Sequence, residues 1–193
     1  DRTQVALGTV KNTVTQVYND RKTIAEYAFA PCSDITGFPI PCVIINDNMA
    51  AVTMLNIYQQ YPNYAFIGYN YGSRISKDIV IHETVGHALG LLGDEYWSPA
   101  MEDIPSSSAA ELRLAQSNGC YLNLSLTKDQ SSVTWQHLIE HPNYWYVGIY
   151  EGGYGYFNVW RSEKRSIMGG EADVWYFNAI SRELLVKRIL TLA

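Results

Sequence analysis

The order of apolar and polar residues along the chain predicts a mixture of strands and helices. An apolar, β-branched run at 41–46 and an aromatic and apolar run at 63–72 are typical of short buried strands. Helical spacing and composition predict helices at 3–29, 48–60, 73–96, 109–117, 131–141 and 178–193. The stretch 144–156, rich in Gly and Tyr, is better suited to strand or ordered loop. No repeat or linker divides these elements, so we expect a single mixed α/β domain across residues 1–193.

Composition narrows the class of protein. Hydrophobic residues make up 47% of the 193 residues, which is too many for a disordered chain. The formal net charge is -5 and no run of Lys and Arg occurs, which argues against a nucleic-acid partner. No apolar stretch approaches the roughly 20 residues that a membrane-spanning helix needs. We therefore expect a globular domain that neither binds nucleic acid nor spans a membrane.

The three cysteines leave two alternatives open. Cys32 and Cys42 flank a proline-rich loop and would pair in an oxidising compartment, leaving Cys120 free; alternatively, all three are reduced, buried thiols. The sequence starts at Asp1 without Met or a signal peptide, so we expect an N-terminal part of the full-length protein to be absent. These residues by themselves do not predict a compartment.

A segment of the long predicted helix contains the candidate chemistry. His82, Glu83 and His87 form the pattern H-E-x-x-x-H, one residue longer than the H-E-x-x-H helix of zinc peptidases. On a regular α-helix, side chains five residues apart diverge by roughly 140°, so the two imidazoles would not face one metal ion. A π turn absorbs one residue and returns the pair to one face, and Gly86 is placed to tolerate it. The spacing therefore predicts either a local π turn or no zinc site.

Residues downstream of the histidines favour zinc. Gly90 lets the helix stop, so that the chain can turn back and offer a third ligand, with Asp94 the first choice and Glu95 the second. Much later, RSIMGG resembles the Met-turn of the metzincin peptidases, a tight turn that places Met168 beneath the metal. Each feature alone is a weak indication, but together and in this order they indicate a zinc site.

These motifs resemble a specific family. From about Val43 to the C-terminus the chain is similar to the IgA-specific metallopeptidases of gut bacteria, in the segments HETVGHALGLLGDEY, VTWQHLIEH, VGIYEGGYGYFNVWRS, SIMGG and FNAISRELL. The extra residue before His87 departs from the commonest family form and resembles a Bacteroides-type branch. The resemblance implies a secreted or cell-surface zinc endopeptidase that cleaves protein or glycoprotein substrates. It also implies a metzincin-like domain, with a twisted sheet above the active-site helix and a mostly helical C-terminal part that carries the Met-turn.

The resemblance gives roles to individual residues of the motif. His82 and His87 are expected to bind Zn²⁺ through nitrogen, and Asp94 through a carboxylate oxygen. Glu83 is expected to accept the proton of the attacking water and to pass it to the leaving amine.

The oxyanion donor and the walls of the cleft are less well specified. A hydrogen-bond donor should stabilise the oxyanion. Two glycines follow Met168 where many metzincins have a tyrosine, so the candidates are Tyr154 and Tyr176. The residues expected to line the substrate cleft are Tyr96, Trp135, Glu151 and Tyr154.

A second histidine pair imitates a metal motif. His137 and His141 fit H-x-x-E-H, the inverted zinc-peptidase pattern. Pro142 follows at once and no downstream acid on a second helix supplies a third ligand. We therefore expect a surface or cleft-wall role beside Trp135 for this pair.

Two other functions remain open. The inserted residue is compatible with a degenerate, metal-free relative of the peptidases. The aromatic residues concentrated between 144 and 160 suit half-buried packing, but they also suit a platform for sugar rings. A glycan- or protein-binding module is therefore the alternative from a different class.

Overall fold

The computed structural model describes residues 40–45, 51–56, 63–68, 77–171 and 173–192. The helix predicted at 3–29 and the pairing of Cys32 with Cys42 lie outside the described residues. Within them the chain forms small sheets and a few helices, which confirms the mixed α/β class. Among the same residues, no helix combines the length and the apolar character needed to cross a membrane.

The first sheet contains three strands, β1 (Cys42–Ile45), β2 (Val52–Met54) and β3 (Tyr64–Gly68). β3 is central, with β1 parallel to it on one edge and β2 antiparallel to it on the other. Every residue of β3 is buried, as expected for an apolar strand with neighbours on both edges. β1 and β3 confirm the strands predicted at 41–46 and 63–72.

β2 contradicts the helix predicted at 48–60. Val52 and Thr53 are β-branched, which favours an extended backbone. Their antiparallel pairing with Phe66 and Ala65 of the buried β3 satisfies backbone groups and overrides the helical composition of the segment. The helix prediction is therefore wrong for the described residues 51–56.

The helix predicted at 73–96 is composed of two shorter elements in the described part of the chain. One turn of α-helix, α1 (Lys77–Val80), continues directly into a π-helix (Ile81–Leu89). The predicted π turn is confirmed, and it extends over 9 residues that include both histidines. Its last turn closes where the Gly90 amide donates to the Val85 carbonyl, five residues back, at 3.0 Å. Beyond this point the chain is no longer helical.

The C-terminal half combines helices with a second sheet. In chain order its elements are α2 (Ser106–Ser117), β4 (Leu124–Ser125), α3 (Gln136–Ile139), β5 (Tyr150–Gly153), β6 (Tyr156–Arg161) and α4 (Ala179–Leu192). β6 lies between β4 and β5 and pairs antiparallel with both. The helices predicted at 109–117 and 178–193 are confirmed, whereas the one at 131–141 is reduced to the single turn of α3. The C-terminal part therefore contains both the expected helices and a small sheet, to which the Tyr- and Gly-rich stretch contributes strands.

A 3₁₀ turn at Ile167–Gly169 packs against the π-helix. Ser166 closes the turn, since its hydroxyl accepts a hydrogen bond from the Met168 amide at 3.1 Å. Gly170 follows with φ 69°, a left-handed conformation that glycine adopts without strain. Met168 is fully buried between the turn and the helix. This is the tight turn that RSIMGG predicts.

Gly86 is the point of close approach between the π-helix and this turn. A Cβ atom at position 86 would lie 2.4 Å from Sδ of Met168 and 3.0 Å from its Cε. Met168 is fully buried, so its side chain cannot move out into solvent to make room for this atom. We therefore expect Gly86→Ala to lower the free energy of unfolding by about 1–3 kcal/mol. Urea denaturation of the metal-free protein measures this loss.

Gly169→Ala is the matched control, since its Cβ would meet no atom closer than 3.7 Å. Equal losses in both variants would contradict the packing argument.

Candidate metal centre

Two histidines and an aspartate bring three donor atoms together. His82 and His87 lie five residues apart on the π-helix, and their Nε2 atoms are 3.0 Å from each other. Oδ1 of Asp94 lies 3.1 Å from Nε2 of His82 and 3.2 Å from Nε2 of His87. Among the residues that the structure describes, these three form the group of His, Cys, Asp or Glu side chains gathered closely enough to hold a metal ion.

The hydrogen bonds of the two Nδ1 atoms determine that the Nε2 atoms face one another. His82 Nδ1 donates to the Ile167 carbonyl oxygen at 2.9 Å, and His87 Nδ1 donates to the Leu92 carbonyl oxygen at 2.7 Å. Because a carbonyl oxygen only accepts, the proton of each neutral imidazole is on Nδ1 and each Nε2 presents a lone pair. Two lone pairs and a carboxylate oxygen, 3.0–3.2 Å apart, repel one another unless a cation lies among them. The three side chains are therefore arranged for a cation.

The pKa values of Asp94 and His87 are shifted because the three side chains lie close together. Burial acts to raise the pKa of Asp94, but His82 and His87, which donate hydrogen bonds to the carboxylate when a proton rather than a metal ion lies among the three side chains, hold that pKa well below its usual range. Burial acts to lower the pKa of His87, but the hydrogen bond and the charge of Asp94 outweigh it, so that the pKa is raised. Asp94 is therefore an anion at neutral pH, which is the form that binds a metal ion.

The donor set fits zinc in both chemistry and spacing. Two imidazole nitrogens and one carboxylate oxygen are accepted zinc ligands, and catalytic zinc sites use three protein ligands with a fourth position open. Donor atoms about 2.0–2.1 Å from a tetrahedral zinc lie about 3.3 Å from one another. The observed separations of 3.0–3.2 Å are close to that value. The backbone carbonyls bound to both Nδ1 atoms hold the rings in this orientation.

Glu95, the second choice for a third ligand, is engaged elsewhere. Its side chain is 2% exposed, and its carboxylate accepts hydrogen bonds from Asn123 at 2.8 Å, from Asn178 at 2.8 and 2.9 Å, and from the Ser166 hydroxyl. Burial raises the pKa of Glu95, although these hydrogen bonds oppose the rise. Glu95 therefore ties the loop after the π-helix to the rest of the core, while its neighbour Asp94 faces the imidazoles.

A cleft of about 590 Å³ opens beside His82, one of the three donor residues. His82 and Glu83 line it together with the apolar side chains of Ile79 and Val174. Glu83 is 6% exposed, and its Oε2 accepts a hydrogen bond from the Thr53 hydroxyl of β2 at 2.6 Å. The predicted general base thus lies directly beside a predicted ligand, on the wall of a cleft large enough for part of a peptide chain.

Tyr96 lies closer to the donors than the sequence predicts. Its ring is parallel to the His82 ring, with 6.0 Å between centroids and 5° between planes. Its hydroxyl is 3.4 Å from Nε2 of His82, and the side chain also lines the cleft. Burial raises the pKa of Tyr96, and the charges of Asp94 and Glu83 raise it further, so the phenol stays protonated. The signal in the sequence for this position is the spacing, because Tyr96 lies only two residues after Asp94.

Three of the four predicted cleft residues, Tyr154 as well as Trp135 and Glu151, are not among the described residues that line the cleft. Trp135 is fully buried in the core formed with α4, where its Nε1 donates to the Gly148 carbonyl at 2.8 Å. Glu151 is exposed on β5, and its Oε1 accepts from the Asn158 amide at 3.3 Å. The cleft role predicted for Trp135 and Glu151 is corrected, because the pairing of β5 with β6 and the packing of α4 direct them elsewhere.

The two tyrosines considered as oxyanion donors also lie elsewhere. The Tyr154 ring packs against Tyr121 and Tyr156, with centroids 5.8 and 6.4 Å apart, and its backbone amide donates to the Asp94 carbonyl at 2.8 Å. Tyr176 lines a separate cavity. Neither is among the described residues that line the cleft, so Tyr96 replaces both as the candidate donor.

The two rings of the second histidine pair, His137 and His141, contact different partners. His137 Nε2 lies 2.6 Å from Oε2 of Glu183 on α4. His141 uses Nδ1 to accept a hydrogen bond from the Asn143 amide at 3.2 Å, which caps a 3₁₀ turn. The expectation that no downstream acid on a second helix would meet this pair is wrong for His137, because the packing of α4 brings Glu183 to it. Both histidines are exposed, in agreement with the surface role expected for the H-x-x-E-H motif.

The chemistry of the centre thus comes from a few residues on three segments of the chain: the π-helix, the loop that follows it and β2. The loop supplies the carboxylate, and β2 supplies the partner of the buried glutamate. Comparison with protein-family models, with curated proteins and with solved structures finds no match for this chain.

Proposed function

We propose that this chain is the catalytic domain of a secreted or cell-surface zinc endopeptidase with a metzincin-like fold, similar to the IgA-specific metallopeptidases. One arrangement supports the proposal above all. The lone pairs of two Nε2 atoms and the carboxylate of Asp94 converge at 3.0–3.2 Å, with both Nδ1 atoms bound to carbonyls. His82, His87 and Asp94 would hold the zinc.

The surroundings of these donors support the same conclusion. β2 and β3 pack on one side of the π-helix, joined to it by a hydrogen bond from Asn63 Nδ2 to the Ala88 carbonyl at 2.9 Å. Met168 packs against the π-helix at Gly86 from the turn that follows β6. A sheet, an active-site helix and a methionine turn in this order are the elements expected of a metzincin-like domain.

The side chains around the donors have complementary tasks in peptide hydrolysis. When bound in such a site, zinc acts as a Lewis acid on a peptide carbonyl and on water. Glu83 accepts the proton of the attacking water through its carboxylate and delivers it to the leaving amine. Tyr96, which stays protonated, donates a hydrogen bond to the oxyanion that develops on the carbonyl.

Metal removal tests the proposed function directly. Protein purified without chelator should contain about one zinc per chain and should cleave an unfolded protein substrate. A chelator should abolish cleavage, and added Zn²⁺ should restore it. Elemental analysis that finds no transition metal in the purified chain would contradict the proposal.

Tyr96→Phe separates the donor role from metal binding. The variant keeps the ring that stacks on His82 but loses the hydroxyl, so we expect kcat to fall by about 10²-fold or more while zinc content stays unchanged. Tyr154→Phe is the matched control, because its ring packs among other tyrosines away from the cleft. A Tyr96→Phe enzyme with the wild-type kcat would remove Tyr96 from this role.

A saccharide-binding module is the second candidate function. It is favoured by a separate cavity of about 550 Å³, lined by Trp145, Tyr146, Tyr150 and Tyr176 together with basic side chains. Trp145 is 83% exposed, so its ring offers a face for a sugar. This alternative predicts glycan affinity that survives the chelator, with no cleavage of unfolded protein.

A further inference from the structure

Thr53 joins the first sheet to the predicted general base. It lies in the middle of β2, at the edge of the sheet that packs on the π-helix. Its hydroxyl is 2.6 Å from Oε2 of Glu83 and 2.8 Å from the backbone carbonyl oxygen of the same residue. Within the part of the chain that the structure describes, both of these acceptor atoms belong to Glu83.

The hydroxyl has only one proton, so it donates to one of these two oxygens at a time. The carboxylate oxygen is nearer and, when ionised, is the stronger acceptor, because hydrogen bonds to charged groups are shorter and about twice as strong as neutral ones. The bond engages Oε2 alone and leaves Oε1 for proton transfer. A fixed Oε2 restricts rotation of the carboxylate about its terminal torsion, which is otherwise broad.

The position of Thr53 is itself well determined. It pairs with Ala65 of β3, a residue with 0% exposure at the centre of the sheet. Further along, Asn63 Nδ2 donates to the Ala88 carbonyl of the π-helix, and Asn63 Oδ1 accepts from the Asn56 amide beyond the end of β2. Among the described residues, the hydrogen bonds of Thr53 and Asn63 thus join the sheet to the helix, and the one from Thr53 reaches a side chain that lines the cleft.

We propose that Thr53 is a positioning residue, which acts by holding the Glu83 carboxylate in the orientation needed for proton transfer. This inference rests on the proposed peptidase function. It predicts an effect on the chemical step, because a small misorientation of a catalytic group lowers the rate of that step without changing substrate or metal binding.

Thr53→Val tests the inference, since valine keeps the β-branched shape and removes the hydroxyl. We expect kcat to fall by about 10–100-fold with KM and zinc content unchanged. Thr53→Ser keeps the hydroxyl and should recover most of the lost kcat. Thr191→Val is the matched control, because Thr191 lies on the exposed face of α4 and donates within that helix.

The outcomes distinguish the inference from the function on which it rests. A wild-type chain that hydrolyses no peptide contradicts the peptidase itself. An active wild type with an equally active Thr53→Val variant overturns the positioning role alone. The positioning role is also overturned if Thr53→Val loses zinc or folded protein, or if Thr53→Ser fails to recover kcat. Either result would show that the contact only stabilises the packing of the sheet on the helix.

Discussion

Replacing His82 or His87 by alanine is expected to reduce bound zinc from about one per chain to none after dialysis, and to abolish peptide hydrolysis. Each variant leaves only two of the three donors. Even the loss of a partner that merely orients a ligand lowers metal affinity by about 10–100-fold, so the loss of a ligand should exceed that range. Elemental analysis and calorimetric titration with Zn²⁺ measure the effect.

His137→Ala is the matched control for these variants. His137 is exposed, and its imidazole pairs with Glu183 on α4 rather than with another histidine. This variant should keep the zinc content and the activity of the wild type. A His137→Ala protein that loses zinc, or a His82→Ala protein that keeps it, would contradict the assignment of the metal centre.

Glu83→Gln is expected to keep zinc and to lower kcat by about 10²–10⁴-fold. The amide has the shape of the carboxylate, but it cannot accept the proton of the attacking water. Because the three donor atoms do not include Glu83, metal content should not change. Steady-state kinetics on a peptide substrate, with zinc measured on the same sample, provides both readouts.

Glu111→Gln makes the same chemical change on the exposed surface of α2 and should leave kcat unchanged. If Glu83→Gln retains the wild-type kcat, Glu83 is not the base. If it loses zinc together with activity, the carboxylate maintains the fold of the centre instead of taking part in the reaction.

Local periodicity predicted much of the fold. The apolar runs at 41–46 and 63–72 correspond to strands, and the amphipathic pattern at 178–193 to α4. The interval of five residues between His82 and His87 predicted either a local π turn or no zinc site, and the first alternative corresponds to the observed π-helix, which brings such a pair to one face. These features depend on residues near one another in sequence.

Other predictions failed where distant residues decide the outcome. The segment 48–60 has helical composition, but residues 52–54 within it form β2, because the buried β3 offers an edge with which they pair. Trp135 was expected near the cleft, yet packing against α4 buries it fully in the core.

By itself, the sequence determined which residue types are present and how far apart they lie along the chain. That was enough to single out two histidines, a glutamate and a π-helix. Only the tertiary structure decided between Asp94 and Glu95, which are adjacent and both acidic. Glu95 is held by Asn123, Asn178 and Ser166, which lie far away in sequence, so Asp94 is left to face the imidazoles. Which of two neighbouring carboxylates faces the imidazoles depends on which one accepts hydrogen bonds from buried donors. The fold brings those donors to Glu95.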